Sequence, residues 1–298
     1  MNFNVILTVI LNGLAMGMVY ALVAMGIVLL IRAIGVLNFA QGELLMLGAY
    51  ITFALRVDMN LPLAAMIPIA LICFGVIALI FMFSIYWPLR NASYPTAIII
   101  ATMGASIVIK EIAMLVWGGL PLRMPPLLED PNTGGSLLIN IAGVNISWQL
   151  ILTAVVGVVI IGLVFFMFEK LYAGKLIQAA SQDKFAAELL GIPTIVTTAA
   201  TYIISITLAC IGGFMVAPIF TVTVSLGTLL LRAFAGVIIG GLGNIKGAII
   251  GSILVGLIEA MAAVRLSTYK DAVIFIVLLI FLVVRPQGLF GLKIKDKA

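Results

Sequence analysis

The sequence predicts an all-α polytopic membrane protein of about 8 to 10 transmembrane helices, some broken or re-entrant. Three observations carry that prediction. Of the 298 residues, 64% are apolar and only 9% charged, whereas soluble domains run near half and a quarter. Mean hydropathy is +1.33. Spanning helices need roughly 20 apolar residues each, so this composition fills the chain with passes and leaves no room for a sizeable water-soluble domain. Residues 1–298 therefore read as a single transmembrane domain.

In chain order the apolar runs are 5–31, 36–55, 61–87, 95–117, 149–168, 195–217, 228–242, 247–264 and 271–284. The first lacks a basic leader and leads directly into the next, so it reads as a retained span, not a cleaved signal. The second opens on Asn38, Gln41 and Glu43. Two readings stand for that cluster. Glu43 sits at an interface near its helix N-terminus, where the dipole favours a carboxylate, or the three residues line a polar path or anchor a helix break, because an ionised carboxylate in hydrocarbon needs a partner or water.

Trp87 and Pro88 end the third run. In the fourth, Lys110 and Glu111 are sequence neighbours on different helix faces, and the expectation is that they snorkel to the nearer interface. Residues 118–148, rich in Pro, Gly and Asn, form the longest loop. A glycine-rich stretch, 236–251, carries the four-residue steps Gly236–Gly240 and Gly243–Gly247–Gly251. Such steps let two backbones pack closely. Interrupted by Asn244 and Lys246, they also suit a pair of half-helices whose ends meet at a pathway, which would put Gly243 and Asn244 on it. A break is expected within residues 234–257.

Lys and Arg counts set the orientation. Residues 169–188 hold Lys170, Lys175 and Lys184, and the tail holds Arg285, Lys293, Lys295 and Lys297. Both read as cytoplasmic. Counting back then leaves Arg32 and Arg90 inside and the amino terminus outside. The 118–148 loop, with Arg123, Glu129 and Asp130, also falls outside, and run 228–242 makes a full crossing. Within the inner 169–194 loop, KLIQAASQDKFAAELLG (175–191) has apolar residues at helical spacing among Gln182, Asp183, Lys184 and Glu188, with Gly191 and Pro193 as terminators. It is either an interfacial helix covering the bundle or a docking rod for a soluble partner.

Composition also excludes function classes. There is no histidine, which removes the commonest metal ligand and general base, so neither an enzyme nor a metal site is expected. Cys73 and Cys210 stand singly in apolar runs and make no disulfide or zinc spacing. No clustered basic stripe offers itself to nucleic acid, and no G-x-x-x-x-G-K-[ST] loop binds nucleotide. An ion-coupled secondary transporter would need charges in several spans. Only Glu43, Lys110, Glu111 and Glu259 stand out there.

Three blocks now carry a resemblance. NGLAMGMVYALVAMGIVLLIRAIGVLNFAQGELLMLGAYITF, ASQDKFAAELLGI, and FAGVIIGGLGNIKGAIIGSILVGLIEA with YKDAVIFIVLLIFLVVRPQGLFG resemble, in order and spacing, the permease subunits of branched-chain amino-acid ABC transporters. The resemblance implies an inner-membrane importer subunit working with a second homologous permease, two ATP-binding subunits and an external substrate-binding protein. ATP would be bound by those partners, with no cofactor in this chain. It further implies two inverted, related halves, and alternating access driven through residues 175–191 as the coupling helix, with Gln182, Asp183, Glu188 and Gly191 meeting the ATPase. Asn38, Gln41, Glu43, Gly243 and Asn244 would line the translocation path. Relatives of this pattern also move urea or amides, so those solutes stand as the alternative.

Overall fold

The protein, seen in a computed structural model, is described over residues 3–90, 92, 94, 96–128, 135–141 and 143–291. Glu129, Asp130, Lys293, Lys295 and Lys297, used above for orientation, lie outside the described residues. The elements are α1 (Phe3–Ile34), α2 (Gln41–Phe53, prolonged by a π-turn Ala54–Asp58) and α3 (Leu63–Phe81). A second π segment, Met82–Tyr86, leads from α3 into the short α4 (Trp87–Leu89), followed by α5 (Thr96–Trp117). A small hairpin in the long loop, β1 (Leu138–Ile141) and β2 (Val144–Ser147), turns at Gly143 with φ 85°. Then come α6 (Trp148–Lys170), α7 (Tyr172–Gln182), α8 (Lys184–Leu189), α9 (Thr194–Val216), α10 (Leu229–Gly240), α11 (Ile245–Arg265) and α12 (Lys270–Val284).

Seven helices are long and apolar enough to cross a membrane. With 13 and 12 residues, α2 and α10 reach about 20 Å at most, short of the ~30 Å hydrocarbon core. Each is completed by a non-helical approach, residues 35–40 before α2 and 217–228 before α10, the latter ending in a 3-10 turn at Val224–Thr228.

Contacts fix the depth of both. Gln41, at the start of α2, bonds to Ser205, which lies about 16 Å along α9 from Thr194. From there α2 follows the second half of α9, with Gly48 against Cys210 and Gly213 against Leu45. Gly227 rests on Gly42, so α10 starts at the same depth and runs the opposite way. It ends at Gly241–Gly243, where Arg32 at the close of α1 donates to the Gly243 carbonyl. Among the described residues seven helices are thus long enough to span alone, and two further segments each combine a non-helical approach with a half-helix. The full crossing expected at 228–242 is such a composite.

The order long helix, broken crossing, long helix, long helix occurs twice, as α1–α2–α3–α5 and as α9–α10–α11–α12, with opposite senses through the membrane. In the same way α1 packs on α11 and α9 packs on α3. This is the inverted two-half arrangement that the resemblance implied. One face carries Arg32, Arg90, Lys170, Lys175, Lys184, Lys246 and Arg285; the other carries Arg56, Arg123, Arg265 and Lys270. The former is the basic face.

The chain has an interruption at 217–228 that the sequence did not single out. The break expected within 234–257 is also present: α10 ends at Gly240 and α11 begins at Ile245, with Gly241 at φ 108° and Gly243 at φ 83° between them. It is a turn at the basic face. The glycines do packing work there: a Cβ on Gly236 would sit 2.6 Å from Ser252 Cα, and one on Gly240 would sit 2.0 Å from the Gly247 carbonyl oxygen. Gly236, Gly240, Gly247 and Gly251 thus serve close backbone approach, whereas Gly241 and Gly243 interrupt the helix.

Glycine contacts of this kind give a clean test. A Cβ on Gly48 would fall 2.2 Å from the Cys210 carbonyl, whereas Gly75 has nothing within 4 Å. Gly48→Val should cost about 3 kcal/mol or more by overpacking, seen as a lowered midpoint of thermal unfolding in detergent. Gly75→Val should leave that midpoint in place.

Candidate functional site: two mid-membrane breaks and a projecting helix on the basic face

The first break is held by neutral hydrogen bonds. Gly35, at φ 70°, ends α1, and the chain turns back into the bundle as an extended strand. Its freed backbone groups find partners: Phe39 N donates to Thr102 Oγ1 (3.2 Å) and Ala40 N to Asn38 Oδ1 (3.0 Å). Asn38 Nδ2 donates to Gln41 Oε1, and Gln41 Nε2 donates to both the carbonyl (2.9 Å) and the hydroxyl (3.1 Å) of Ser205. Ser205 Oγ in turn donates to the Gly26 carbonyl. Asn38 and Gln41 are buried. Their capacity goes into clamping α1, α2 and α9 together, as an unsatisfied group in hydrocarbon would cost several kcal/mol.

Glu43 is different. It lies in the first turn of α2 and is half-buried. Its Oε2 is out of solvent and has no hydrogen-bond partner. The carboxylate faces the second break, where a Cβ on Gly227 would sit 3.1 Å from Oε1. Two helix N-terminal ends therefore converge on one carboxylate, a favourable field for an anion. The Lys110 ammonium also acts on it electrostatically.

Ions clamp the second break. Arg232, in the first turn of α10, pairs with Glu259 of α11 at 2.8 Å and with Asp271 of α12 at 2.7 Å. Tyr20 of α1 donates its hydroxyl to Glu259 and accepts from Arg232, and Lys270 reaches Glu259 at 3.3 Å. Two cations thus meet two carboxylates among four helices. Sequence reading singled out Glu259 and missed Arg232, although a lone arginine in LLLRAFAG facing a run with a lone glutamate is the signal to look for.

At the basic face, the expected single coupling helix is two. Asp183 takes φ −150° and ψ 105°, and its Oδ1 accepts from Ala186 N. The break follows because an Asp side chain competes for backbone donors and caps a new helix. The first piece, α7, is strapped to α6: Gln178 Nε2 donates to the Phe168 carbonyl, and a Cβ on Gly174 would sit 2.2 Å from the Met167 carbonyl oxygen. By contrast α8 projects. Phe185, Leu189 and Leu190 are 71%, 74% and 81% exposed, beside exposed Gln182, Asp183 and Lys184. Glu188 accepts from Thr194 Oγ1, tying α8 to the start of α9, and Gly191 closes the segment at φ 78°.

Gly243 and Asn244 are not brought together with Asn38, Gln41 and Glu43. Gly243 accepts from Arg32, and Asn244 caps α11 through Gly247 N and donates to the Phe290 carbonyl. Asn244, Arg32, Gln178 and Lys246 line a cavity of about 160 Å³ on the basic face. A second cavity, about 290 Å³, opens at the other face between Asn12, Phe220, Glu259 and Lys270. Between them α1 and α11 touch backbone to backbone at Gly17 and Ile253.

Comparison with known proteins gives a consistent set of likenesses. Residues 9–282 match the family model described as the permease component of the branched-chain amino acid transport system. The chain is 30% identical to the high-affinity branched-chain amino acid transport system permease protein LivH of Salmonella typhimurium, over 94% of each chain. It is 32% identical to the permease protein BraD of Pseudomonas aeruginosa, over 95% of this chain and 94% of that one. The probable permease LivH of Methanocaldococcus jannaschii is 25% identical over 92% and 89%.

The ionic clamp can be tested alone. Glu259→Met leaves Arg232 and Lys270 without their buried partner and should cost about 3 kcal/mol. Adding Arg232→Met should recover much of that loss, since removing both charges also removes the desolvation cost. A double-mutant cycle on detergent unfolding midpoints reads the difference; equal losses in single and double variants would argue against the clamp.

Proposed function

The chain belongs to the family of branched-chain amino acid transport permease components, and from that membership we propose that it is one of two permeases in an ATP-driven importer of the bacterial inner membrane. The solute is a branched-chain or closely related small amino acid. Members of this family are transport components, not enzymes. The partners are a second homologous permease, two ATP-binding subunits and an external substrate-binding protein, and the basic face is cytoplasmic by the positive-inside rule.

The observation that carries this reading is α8. A short helix outside the spans, with Phe185, Leu189 and Leu190 bare beside Asp183 and Lys184, fits the surface of a soluble protein. Its attachments suit force transfer. A push on α8 reaches α6 through α7, and reaches α9 through the Glu188–Thr194 bond. Along α9 it meets Ser205, the clamp of the first break, and then the α2 contact at Cys210. Displacing α9 would therefore disturb the level where the two half-helices meet.

The passage we assign runs past that level. Glu43 has an unsatisfied oxygen, and there it would take the ammonium end of a zwitterion for a moment. Asn38 and Gln41 hold the break that presents it. Gly243 and Asn244 lie toward the inner exit, beside the basic-face cavity. Around α8, Gln182 at the end of α7 and the capping Asp183 are the polar rim of the ATPase contact, Glu188 its anchor to α9, and Gly191 the turn that lets the chain re-enter the membrane.

Reconstitution tests the reading. The chain, with its co-purifying permease, ATP-binding subunits and external binding protein, should take up leucine into proteoliposomes only with ATP. Uptake by this chain alone, without ATP, would remove the proposal. Phe185→Asp with Leu189→Asp should lower leucine-stimulated ATP hydrolysis at least about tenfold, the equivalent of one lost contact of 1.4 kcal/mol, with normal membrane insertion. Joint charge reversal at Asp183 and Glu188 should do the same.

A further inference from the structure

The cavity on the basic face lies among the ends of four helices. Arg32 is in the last turn of α1, Phe165 and Glu169 are in the last turns of α6, Gln178 belongs to α7, and Asn244 and Lys246 open α11. The cavity does not lead through the membrane, because farther in α1 and α11 touch backbone to backbone at Gly17 and Ile253. A dead-ended space of about 160 Å³ can hold a group but cannot pass one.

Its chemistry asks for an anion. Arg32 uses only Nε, on the Gly243 carbonyl, and makes no ion pair among the described residues. Its two Nη groups are left for a ligand. Lys246 meets Glu169 only at 3.9 Å, with both side chains more than half exposed, and such a pair contributes little. Two cations against one carboxylate leave one positive charge in excess. The amino end of α11, a helix of 21 residues, adds the field of its dipole and its first free N–H groups.

The surroundings say which anion. The cavity stands where the spans end, at the level of the headgroups, and an uncovered apolar row runs from it into the bilayer. Ile250 and Leu254 follow Lys246 at four-residue steps along α11 and are 41% and 38% exposed, and Leu163 and Phe166 are bare on α6. A soluble anion gains nothing from that row, whereas an acyl chain does. We propose that the cavity binds the headgroup of an anionic phospholipid such as phosphatidylglycerol, with Arg32 and Lys246 on the phosphate oxygens and an acyl chain along Ile250 and Leu254. Basic pockets between transmembrane helices on the cytoplasmic side are suited to such headgroups. The bound lipid bridges α1 and α11 to α6 and, through Gln178, to α7, and so stiffens the base on which α8 stands. Its place in the inner leaflet rests on the cytoplasmic reading of the basic face; the binding itself does not.

The test uses the full chain, purified in detergent with its co-purifying subunits and titrated with phosphatidylglycerol, phosphatidylethanolamine or inorganic phosphate. Native mass spectrometry reads the lipid retained. Phosphatidylglycerol should bind about fivefold or more tightly than phosphatidylethanolamine, and Lys246→Gln should lower its affinity about fivefold, the effect of one cation near a membrane surface. Glu169→Gln should raise it by a similar factor. Both side chains are more than half exposed, so neither variant threatens the fold. Arg285→Gln removes an exposed cation of the same face outside the cavity and should leave the affinity in place. Equal retention of the two lipids, displacement of phosphatidylglycerol by inorganic phosphate, or a loss in Lys246→Gln no larger than in Arg285→Gln would overturn the site. Retention by the isolated chain that vanishes once ATP-binding subunits are attached would do so too, because the cavity would then belong to that partner. These readouts are of lipid alone; the permease reading falls only if leucine uptake proves independent of ATP.

Discussion

Hydrocarbon offers no hydrogen bonds, so every backbone N–H and C=O inside the bilayer must be satisfied by the protein itself. The rest of this structure follows from how that rule is met at the two places where helices are interrupted. Seven crossings meet it with continuous helices. At residues 35–40 the helix stops, and Asn38 of that segment with Thr102 and Ser205 from two other points of the chain receive the bonds that the backbone and Gln41 donate. The half-helices meet at Gly42 and Gly227 because only glycine allows that approach; a Cβ on Gly42 would lie 2.2 Å from the Gly227 carbonyl oxygen.

The two breaks share a design and differ in chemistry. The first is held by amide and hydroxyl bonds in a buried site, the second by Arg232, Glu259, Asp271 and Lys270 around Tyr20. Buried ion pairs contribute little net stability against an apolar alternative, but they penalise any arrangement that leaves one charge alone. An ionic clamp therefore keeps α10 fixed to α11 and α12 while they stay together. The amide clamp depends on α9 holding its height against α1 and α2. That asymmetry makes α9 the element whose movement would be felt first at the meeting point, and α9 is also the one tied to α8 at the basic face.

The division of labour between faces is equally physical. On the basic face α7 is bound to α6, whereas α8 stands out with apolar side chains uncovered. In the opposite leaflet the descending stretch before α10 is pinned to the long loop by paired backbone bonds between Leu122 and Val222. One end of the molecule is thus stitched to its own loop, and the other leaves Phe185, Leu189 and Leu190 uncovered.

Much of this was legible from residues alone. Composition determined that the chain lives in a bilayer, because hydropathy acts through summed transfer energy and needs no knowledge of contacts. The charge pattern marked out a basic face, and the three ordered blocks pointed to the family. Asp183 and Gly191 marked the helix ends on the basic face by local backbone chemistry. Tertiary structure decided the rest. Which glycines break a helix and which bring two helices together cannot be read from GVIIGGLGNIKGAIIG, because the same missing Cβ serves both and only the neighbour differs. For Asn38 and Gln41 the sequence left open a lining or an anchor of the break, and the hydrogen bonds that tie them into the break depend on Ser205, which stands far away in sequence. Arg232 and Glu259 meet across two helices, and Phe185, Leu189 and Leu190 face outward, because direction around a helix axis is set by what packs on the other side, a quantity that no one-dimensional pattern contains.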